Sequence, residues 1–268
     1  MPEGPEVKTT VDFLKSYEGK TLRSLKVLTG RYTKKPINNI NNPNWKTPLL
    51  LENVNCKGKF IYFNFKENVC LFNTLGMTGM WSNRPSKHAR IRFEFDDKDN
   101  YLYFNDTRNF GTLKIVLNKK DLDKKLNSLG PDILEDDISC QSFINRFTSK
   151  PNKTIAECLM NQSVVSGVGN YLKAEILYAS RIAPNRKICD ILELEWKSLY
   201  DNTLSLSRRS YESGGATIKN YRKPNGKKGL YSQRFAVYNQ KTSPCGNEVI
   251  KEQTLDKRNT HWVPSVQK

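Results

Sequence analysis

The stretch SGVGNYLKAEILY, from Ser166 to Tyr178, includes a turn with two glycines between two segments of helical periodicity, residues 153–160 and 170–180. Glycines in a turn allow backbone N–H groups to approach an anion, and the dipole of the following helix favours negative charge at its start. A helix–helix turn without a ligand is the alternative. The stretch therefore predicts a helical domain, and it raises the hypothesis of an anion site at the turn.

Upstream of this stretch, the apolar period changes to two residues. Runs at 61–65, 89–95 and 113–117 alternate apolar residues with polar or aromatic ones, which is the pattern of half-buried strands. Residues 20–118 therefore predict an antiparallel β-sandwich or barrel. A helix over residues 5–19 precedes it, with a proline near its start and a glycine at its end.

A charged segment from Asn118 to Asp137 follows the predicted strands and contains Gly130-Pro131, so it indicates a domain boundary. Beyond it, residues 138–149 and 190–213 are further predicted helices. Short β-like runs between Leu230 and Val263 surround the turn TSPCGN and predict a small terminal hairpin. The sequence therefore predicts the α+β class.

The charge of the chain indicates a polyanionic partner. Among 268 residues, 44 Lys and Arg stand against 27 Asp and Glu, which gives a formal net charge of +17. Such an excess produces a positive surface field. Nucleic acid is the first expectation, an anionic membrane surface the second, and a solvated lysine-rich surface the third.

Two classes of protein are excluded by local sequence. No run of about 18 apolar residues occurs, so we expect no membrane span, and the opening MPEGPEV has acids where a secretory signal has basic residues. We expect a soluble, intracellular monomer. The six cysteines are scattered without any C-x-x-C pair, which predicts ordinary thiols in a reducing compartment, neither disulfides nor a zinc site.

The residues Pro2 and Glu3 could carry chemistry if Met1 is removed. Pro2 would then have a free secondary amine, and an α-amino group loses its proton roughly two pH units below a lysine side chain. A secondary amine condenses with a sugar aldehyde directly to a charged iminium, the electron sink that elimination of the 3′ phosphate requires. Glu3 and Glu6 could divide acid and base work. A frayed terminus without function is the alternative.

Further motifs follow this opening: LGMTG at 75–79, DTRNFG at 106–111, and SGVGNYLKAEILY. In this order and separation they resemble the formamidopyrimidine-DNA glycosylase and endonuclease VIII family over almost the whole chain. The resemblance implies an N-terminal helix on an antiparallel β-sandwich, then a helical domain with a helix-two-turns-helix and a β-hairpin finger. The implied regions are an N-terminal catalytic domain (1–125), the helical domain (126–220), and a lesion loop with the finger (221–268).

The resemblance also implies roles for the catalytic residues. Pro2 resembles the family's nucleophile, Glu3 its proton donor to the sugar ring oxygen, and Glu6 its supporting acid. Lys59, in KGKF at the start of a strand, resembles a lysine that grips the phosphate near the lesion. A solvated charge is the alternative for Lys59. We expect neither a cofactor nor a metal in this chemistry.

A second group of residues resembles the family's DNA contacts. Extracting a base costs on the order of a few kcal/mol of lost stacking and pairing, and Met77, Arg108 and Phe110 resemble the side chains that fill the void. Arg can hydrogen-bond the orphaned base and Phe can wedge a base step. Core packing is the alternative for Met77 and Phe110. Lys153 and Asn170 resemble residues that bind backbone phosphates.

The C-terminus departs from the family's usual zinc finger of four cysteines. Cys245 stands alone, because its partner position is Glu248 and the second pair is replaced by Val263 and Val266. Four thiolates are needed for such a closed site. The ending resembles the zincless-finger, NEIL-type branch, in which apolar packing replaces the metal. Arg258 there resembles a residue that contacts phosphates beside the lesion, and a surface charge is its alternative.

The implied function is that of a bifunctional DNA glycosylase and AP lyase of base excision repair. It would act on duplex DNA with oxidised bases or abasic sites, through an iminium with Pro2 and β,δ-elimination. The zincless branch favours oxidised pyrimidines and hydantoins. The loop from Gly214 to Phe235 instead has a form found with oxidised purines, such as 8-oxoguanine and formamidopyrimidines, which are the alternative substrates. A damaged-DNA-binding protein without catalysis and an RNA-binding protein are alternative functions.

Overall fold

The computed structural model describes residues 1–96, 100–218 and 221–268. They divide into two compact units, each built from separate parts of the chain: Met1–Pro2, Glu6–Ser128 and Ala216–Gly229 in the first, and Glu3–Pro5, Leu129–Gly215 and Leu230–Lys268 in the second. The predicted α+β class is confirmed. Lys219 and Asn220, which belong to the loop from Gly214 to Phe235, lie outside the described residues. In the part of the chain described, no helix combines the length and apolarity needed to cross a bilayer.

The N-terminal helix lies where its apolar spacing predicts it. Helix α1 spans Gly4–Leu14, and one turn of 3₁₀ helix follows at Lys15–Tyr17. Val7, Val11 and Leu14 recur on one face and are buried in the core of the first unit. The prediction of a helix over residues 5–19 is therefore confirmed to within a few residues.

The β-sandwich of the first unit is also confirmed. Its described strands are β1 (Thr21–Val27), β2 (Leu49–Lys57), β3 (Phe60–Phe65), β4 (Val69–Thr74), β5 (Gly79–Ser82), β6 (Ala89–Phe95), β7 (Tyr101–Asp106) and β8 (Thr112–Val116). They pair antiparallel in the order β5-β7-β6-β1-β2-β3-β4-β8. The β1–β2 pairing is short, with Thr21 opposite Leu50 and Leu22 opposite Leu49, so it joins two longer-paired halves.

Aromatic side chains fill the space between the two halves. The ring of Phe63 on β3 lies 5.4 Å from Trp81 on β5 and 6.1 Å from Phe93 on β6. These rings are fully buried, and the Trp81 indole N–H donates to Asn73 on β4 at 2.9 Å. Because side chains of both halves meet in one core, the strands form a sandwich.

The charged segment after β8 contains a helix that the sequence reading did not predict. Helix α2 spans Lys119–Asn127. The side chain of Asn118 caps its start by accepting a hydrogen bond from the Asp121 backbone N–H at 2.9 Å. Leu122 is its buried residue, so the helix has too narrow an apolar face to produce a periodic signal.

Helices dominate the second unit, as predicted. They are α3 (Cys140–Thr148), α4 (Ile155–Met160), α5 (Asn170–Ala179) and α6 (Glu193–Glu212). Thr154 and Glu157 form a capping box at the start of α4. Helices α4 and α5 lie on either side of the glycine-containing turn, which gives the predicted helix-two-turns-helix arrangement.

The terminal hairpin is present, and the predicted turn TSPCGN forms just before it in the chain. Strands β9 (Ile250–Gln253) and β10 (Asn259–Trp262) pair antiparallel around residues 254–258. The chain also reverses at TSPCGN, where Thr242 and Glu248 form an antiparallel bridge and the Ser243 N–H donates to the Asn247 carbonyl at 2.9 Å. The run RFAVY forms no strand, because the N–H groups of residues 236–238 donate to the carboxylate of Glu175 on α5. Those groups are therefore not available for a β-ladder.

Apolar residues tie this hairpin region to α5. Val263 is fully buried against Ala174 of α5 and Val237, and the partly buried Val249 and Val266 pack against the same cluster. Valines therefore form much of the apolar cluster that joins this region to α5.

Candidate active site and DNA-contact residues

The carboxylate of Glu3 lies at the N-terminus of α5. Its Oε2 accepts hydrogen bonds from the backbone N–H groups of Gly169 and Leu172, at 2.8 and 3.2 Å, and its Oε1 accepts one from Tyr171 at 2.9 Å. The Glu3 residue is 2% exposed. The first turn of a helix has N–H groups without helical partners and a positive dipole end, so Glu3 supplies the charge and the acceptors that this end requires.

The glycines of the turn make this approach possible. A Cβ on Gly169 would overlap the Glu3 carboxyl group, and Gly167 has φ +106, in the region that favours glycine. The Gly4 N–H also donates to the Gly167 carbonyl at 2.8 Å. An anion therefore does lie at the turn, and it is the protein's own Glu3.

Pro2, the proposed nucleophile, and Lys59 are positioned by local backbone structure. Pro2 is buried, directly before α1, and Met1 is 36% exposed. Lys59 is half-buried and lies in the tight turn between β2 and β3, next to Gly58, whose φ is +58. The turn thus fixes the backbone from which the Lys59 side chain extends.

Glu6 is buried in the first unit beside the start of the loop that begins at Ala216. Its Oε1 accepts a hydrogen bond from the Ala216 backbone N–H at 2.6 Å, and its main-chain carbonyl accepts one from the Tyr221 hydroxyl at 3.5 Å. Burial, with the nearby Glu6 charge, raises the pKa of Tyr221 above its ordinary value. Glu6 therefore anchors both the start of this loop and a residue further along it.

The three predicted void fillers come together on the surface of the first unit. The Arg108 guanidinium lies 3.1 Å from the Met77 sulfur and 4.7 Å from the centre of the Phe110 ring. Met77 is 38% exposed and Phe110 is 52% exposed. The alternative of ordinary core packing is therefore wrong for both apolar residues.

Asp106 organises the two loops that carry these side chains, a role the sequence reading did not assign. Its carboxylate accepts hydrogen bonds from the Thr78 hydroxyl and from the Gly111 backbone N–H, the latter at 2.7 Å. The Thr78 oxygen in turn accepts a hydrogen bond from the Arg108 N–H at 2.9 Å. Asp106 is 1% exposed, and its place at the start of DTRNFG was the available signal.

The predicted phosphate ligands of the second unit occupy different environments. Lys153 is 60% exposed and pairs with Glu157 at 2.9 Å, and this hydrogen bond raises the Lys153 pKa. With Lys150 it lines a groove of about 520 Å³ that Asp256 also borders. The Asn170 amide instead donates to the Asn259 carbonyl of β10 at 2.9 Å. Lys153 thus faces solvent, whereas Asn170 connects α5 to the hairpin.

Arg258 lies in the exposed hairpin turn, close to an ion pair that the sequence reading did not find. The Lys173 ammonium on α5 contacts the Asp256 carboxylate at 2.5 Å, and both side chains are buried. Burial lowers the pKa of Lys173, and the charges of Asp256 and Glu3 oppose that effect. Among the residues that the structure describes, no group of three or more His, Cys, Asp or Glu side chains is placed to hold a metal ion.

Comparisons with known proteins agree over the full length of the chain. Three family profiles match: the formamidopyrimidine-DNA glycosylase N-terminal domain over residues 1–113, its H2TH domain over residues 129–222, and its C-terminal domain over residues 232–268. The formamidopyrimidine-DNA glycosylase of Oceanobacillus iheyensis is 30% identical, covering 100% of this chain and 98% of that protein. The corresponding Exiguobacterium protein is 29% identical, covering 100% and 99%.

Solved structures show the same similarity. The MutM (Fpg) protein of Thermus thermophilus superposes with a TM-score of 0.86 at 29% identity, covering 99% of this chain and 98% of that one. A MutM structure in complex with DNA containing carbocyclic 8-oxo-G has a TM-score of 0.86 at 25% identity over all of both chains. The Lactococcus lactis Fpg bound to DNA with an abasic site has a TM-score of 0.83 at 25% identity, covering 99% of each.

Proposed function

Because the chain belongs to the formamidopyrimidine-DNA glycosylase and endonuclease VIII family and is a DNA glycosylase of base excision repair, we propose that the amine of Pro2, freed by removal of Met1, is its nucleophile. The observation that carries the proposal is the buried Glu3 carboxylate, which three N–H groups of the α5 region hold next to Pro2 in the chain. Fixing Glu3 restrains its covalent neighbour. A nucleophile and an acid–base group are thereby kept close together.

The chemistry then proceeds in balanced steps. The Pro2 nitrogen forms a bond to C1′ of the damaged nucleotide, the N-glycosidic bond breaks, and the base leaves with a proton from water. The Glu3 carboxylate takes the proton that the Pro2 nitrogen loses and donates it to the sugar ring oxygen, so the ring opens and the nitrogen becomes an iminium. Loss of a C2′ proton expels the 3′ phosphate, and a second elimination expels the 5′ phosphate. Water releases Pro2 from the sugar fragment and leaves a one-nucleotide gap. This second, AP lyase activity requires no additional nucleophile.

We assign DNA binding to the remaining predicted residues. The surface cluster of Met77, Arg108 and Phe110 would occupy the space that the extruded nucleotide leaves. Lysines and arginines that contact phosphates supply most of the affinity for DNA in such proteins. Those contacts are proposed for the cationic residues Lys59, Lys153 and Arg258, with Asn170 as a neutral phosphate ligand.

For the lesion, we propose oxidised pyrimidines and hydantoins first. The support is the C-terminal sequence, in which Val263 and Val266 stand at the cysteine positions, as in the zincless branch. Oxidised purines are the second candidate, and a specific observation favours them: the solved relatives include MutM with 8-oxo-G DNA and Lactococcus lactis Fpg with Fapy-dG DNA. The loop that Glu6 anchors at Ala216 is where we expect this choice to be made.

Two measurements test the nucleophile. Intact mass should show a chain that lacks Met1, and borohydride should trap a covalent complex on a duplex that contains thymine glycol. Pro2→Thr should slow trapping and elimination, because its primary amine gives a neutral imine that must gain a further proton before it can act as an electron sink. Binding to a duplex with a tetrahydrofuran abasic analogue should be unchanged. Full cleavage by protein that retains Met1 would overturn the proposal.

A panel of substrates tests the lesion class and the alternative functions. Duplexes with thymine glycol, a hydantoin, 8-oxoguanine or a formamidopyrimidine should be cut at different rates, with the first two fastest. Faster cutting of the last two would transfer the assignment to purines. Binding of lesion duplexes without any trapping would indicate a damage-binding protein, and preferential binding of structured RNA would indicate an RNA-binding one.

A further inference from the structure

A buried ion pair connects α5 to the turn of the terminal hairpin. The Lys173 side chain is 0% exposed and the Asp256 side chain is 4% exposed, with Nζ and Oδ2 separated by 2.5 Å. The residues lie 83 positions apart in the sequence. Asp256 belongs to the turn between β9 and β10, so the pair ties this turn to the helix that also holds Glu3.

The Asp256 carboxylate also organises the turn itself. While Oδ2 accepts from Lys173, Oδ1 accepts hydrogen bonds from the Thr254 hydroxyl and from the Arg258 backbone N–H, the latter at 3.2 Å. The hydroxyls of Thr254 and Thr260 are 2.7 Å apart, and both residues are buried. One carboxylate therefore fixes the backbone of Arg258 on one side and the helix on the other.

A buried ion pair of this kind is suited to fixing one element in position against another. Removing two charges from water offsets much of their attraction, so a buried pair adds little net stability, and its best-attested role is to specify one arrangement. A second contact in this unit also joins α5 to the hairpin: the Asn170 amide at the start of α5 donates to the Asn259 carbonyl in β10. Apolar packing of Val263 holds the base of the hairpin, whereas the ion pair holds its tip.

We propose that Lys173 and Asp256 are positioning residues that lock the Thr254–Arg258 turn onto α5 and so aim the Arg258 guanidinium at a DNA phosphate. The proposal rests on the proposed function, in which Arg258 contacts the DNA backbone. In a finger with four thiolates, a metal ion fixes the chain around itself. Here a carboxylate with three donors fixes the turn that carries the basic residue.

The test removes the pair without leaving a buried charge. The double variant Lys173→Met/Asp256→Asn should fold, because it contains no unpaired ion, and far-UV circular dichroism checks this. We expect its kcat/KM for lesion excision to fall about 10-fold or more, since a misplaced contact far from the chemistry can cost up to about 100-fold. Lys173→Arg, which keeps the charge, should retain more activity than Lys173→Met.

Two readouts separate positioning from general weakening of the fold. Loss of one phosphate contact should reduce the slope of log K against log salt by about 1, so the double variant and Arg258→Ala should show the same reduced slope. Adding Arg258→Ala to the double variant should cause little further loss, because both remove one contact. Glu195→Gln, which breaks the Arg186–Glu195 pair elsewhere in this unit, is the control and should leave the slope unchanged.

Hydrogen exchange of the free protein tests the lock independently of catalysis. Backbone amides in residues 254–260 should exchange faster in the double variant than in the wild type. Unchanged exchange, an unchanged salt slope, or fully additive losses with Arg258→Ala would each overturn the proposal. If the wild type excised no base, the proposed function would fail, while exchange at the turn would still decide whether the ion pair holds it.

Discussion

The Tyr171 backbone N–H donates a hydrogen bond of 2.9 Å to the Glu3 carboxylate, although the two residues are 168 positions apart. The acceptor is the residue after the proposed nucleophile, and the donor belongs to the first turn of α5. The helix-two-turns-helix therefore has a use inside the protein. It holds Glu3 in place. This role is separate from the phosphate binding proposed for Asn170 and Lys153.

Gly169→Ala should displace Glu3, because the added Cβ would overlap its carboxyl group. We expect the excision rate to fall by up to about 100-fold, as for other misplaced catalytic groups, and stability to fall by about 1–3 kcal/mol from overpacking. Single-turnover excision and urea unfolding measure the two effects. Ser163→Ala, at an exposed residue of the same turn, is the control. Excision at the wild-type rate would show that Glu3 need not occupy this position.

Asp106→Asn should loosen both loops that carry the proposed void fillers. An amide offers one acceptor oxygen, so either the Gly111 N–H or the Thr78 hydroxyl loses its buried partner, at a cost of about 1–3 kcal/mol. Thermal unfolding measures this loss, and excision from duplex DNA should fall with it. Asp123→Asn changes an exposed acid of α2 and should leave both quantities unchanged. A fully stable, fully active Asp106→Asn protein would contradict the role assigned to this carboxylate.

Phe110→Ala should weaken excision from duplex DNA more than from single strands. The exposed ring can stack on or wedge between bases, an interaction worth about 1–3 kcal/mol per base, and single strands have no gap in a base stack to fill. Rates on matched duplex and single-strand substrates provide the comparison. Leu194→Ala, at a residue that is 85% exposed in the second unit, controls for loss of a surface apolar group. Equal losses on both substrates would argue against a wedge.

His261 in β10 should stay neutral to a lower pH than an ordinary histidine. Burial lowers its pKa, and the charges of Lys251 and Lys173 lower it further. In the unfolded chain the His261 imidazole titrates at about pH 6.5. Below that pH the unfolded state therefore binds more protons than the native state. The free energy of unfolding should fall as the pH drops through this window. The chain has two histidines, so NMR titration with His88→Gln assigns each imidazole.

The same window provides the matching stability test. The pH dependence of urea unfolding below about pH 6.5 should be smaller in His261→Phe than in the wild type, because the titrating group is gone. A native His261 pKa at the ordinary value of about 6.5 would remove the basis for this expectation.

Local sequence predicted the elements whose residues alternate between core and solvent. Strand β6 covers residues 89–95 as its period-two pattern indicates, and α1 buries Val7 and Val11 as their spacing indicates. Exposed motif residues such as Arg108 were found because several motifs occur in a fixed order. These predictions required only neighbouring residues or a recognised pattern.

Contacts between distant residues left no such signal. Glu3 meets Gly169 across 166 positions, and Lys173 meets Asp256 across 83, so neither pair follows from periodicity. The run RFAVY was wrongly read as a strand for a related reason: Glu175 takes the N–H groups of residues 236–238, a competition that only tertiary structure shows. Burial of a lysine within α5 was likewise hidden, because its partner lies in another element.

Because valines stand at positions 263 and 266, the fold of the finger there is held by apolar packing and not by thiolates. Oxidants convert exposed thiolates to sulfenic and higher acids, which no longer bind metal. The interior formed by Val263, Val266 and Ala174 has no group of that kind to lose. A repair protein built this way can still bind DNA under the oxidising conditions that damage the bases it is proposed to remove.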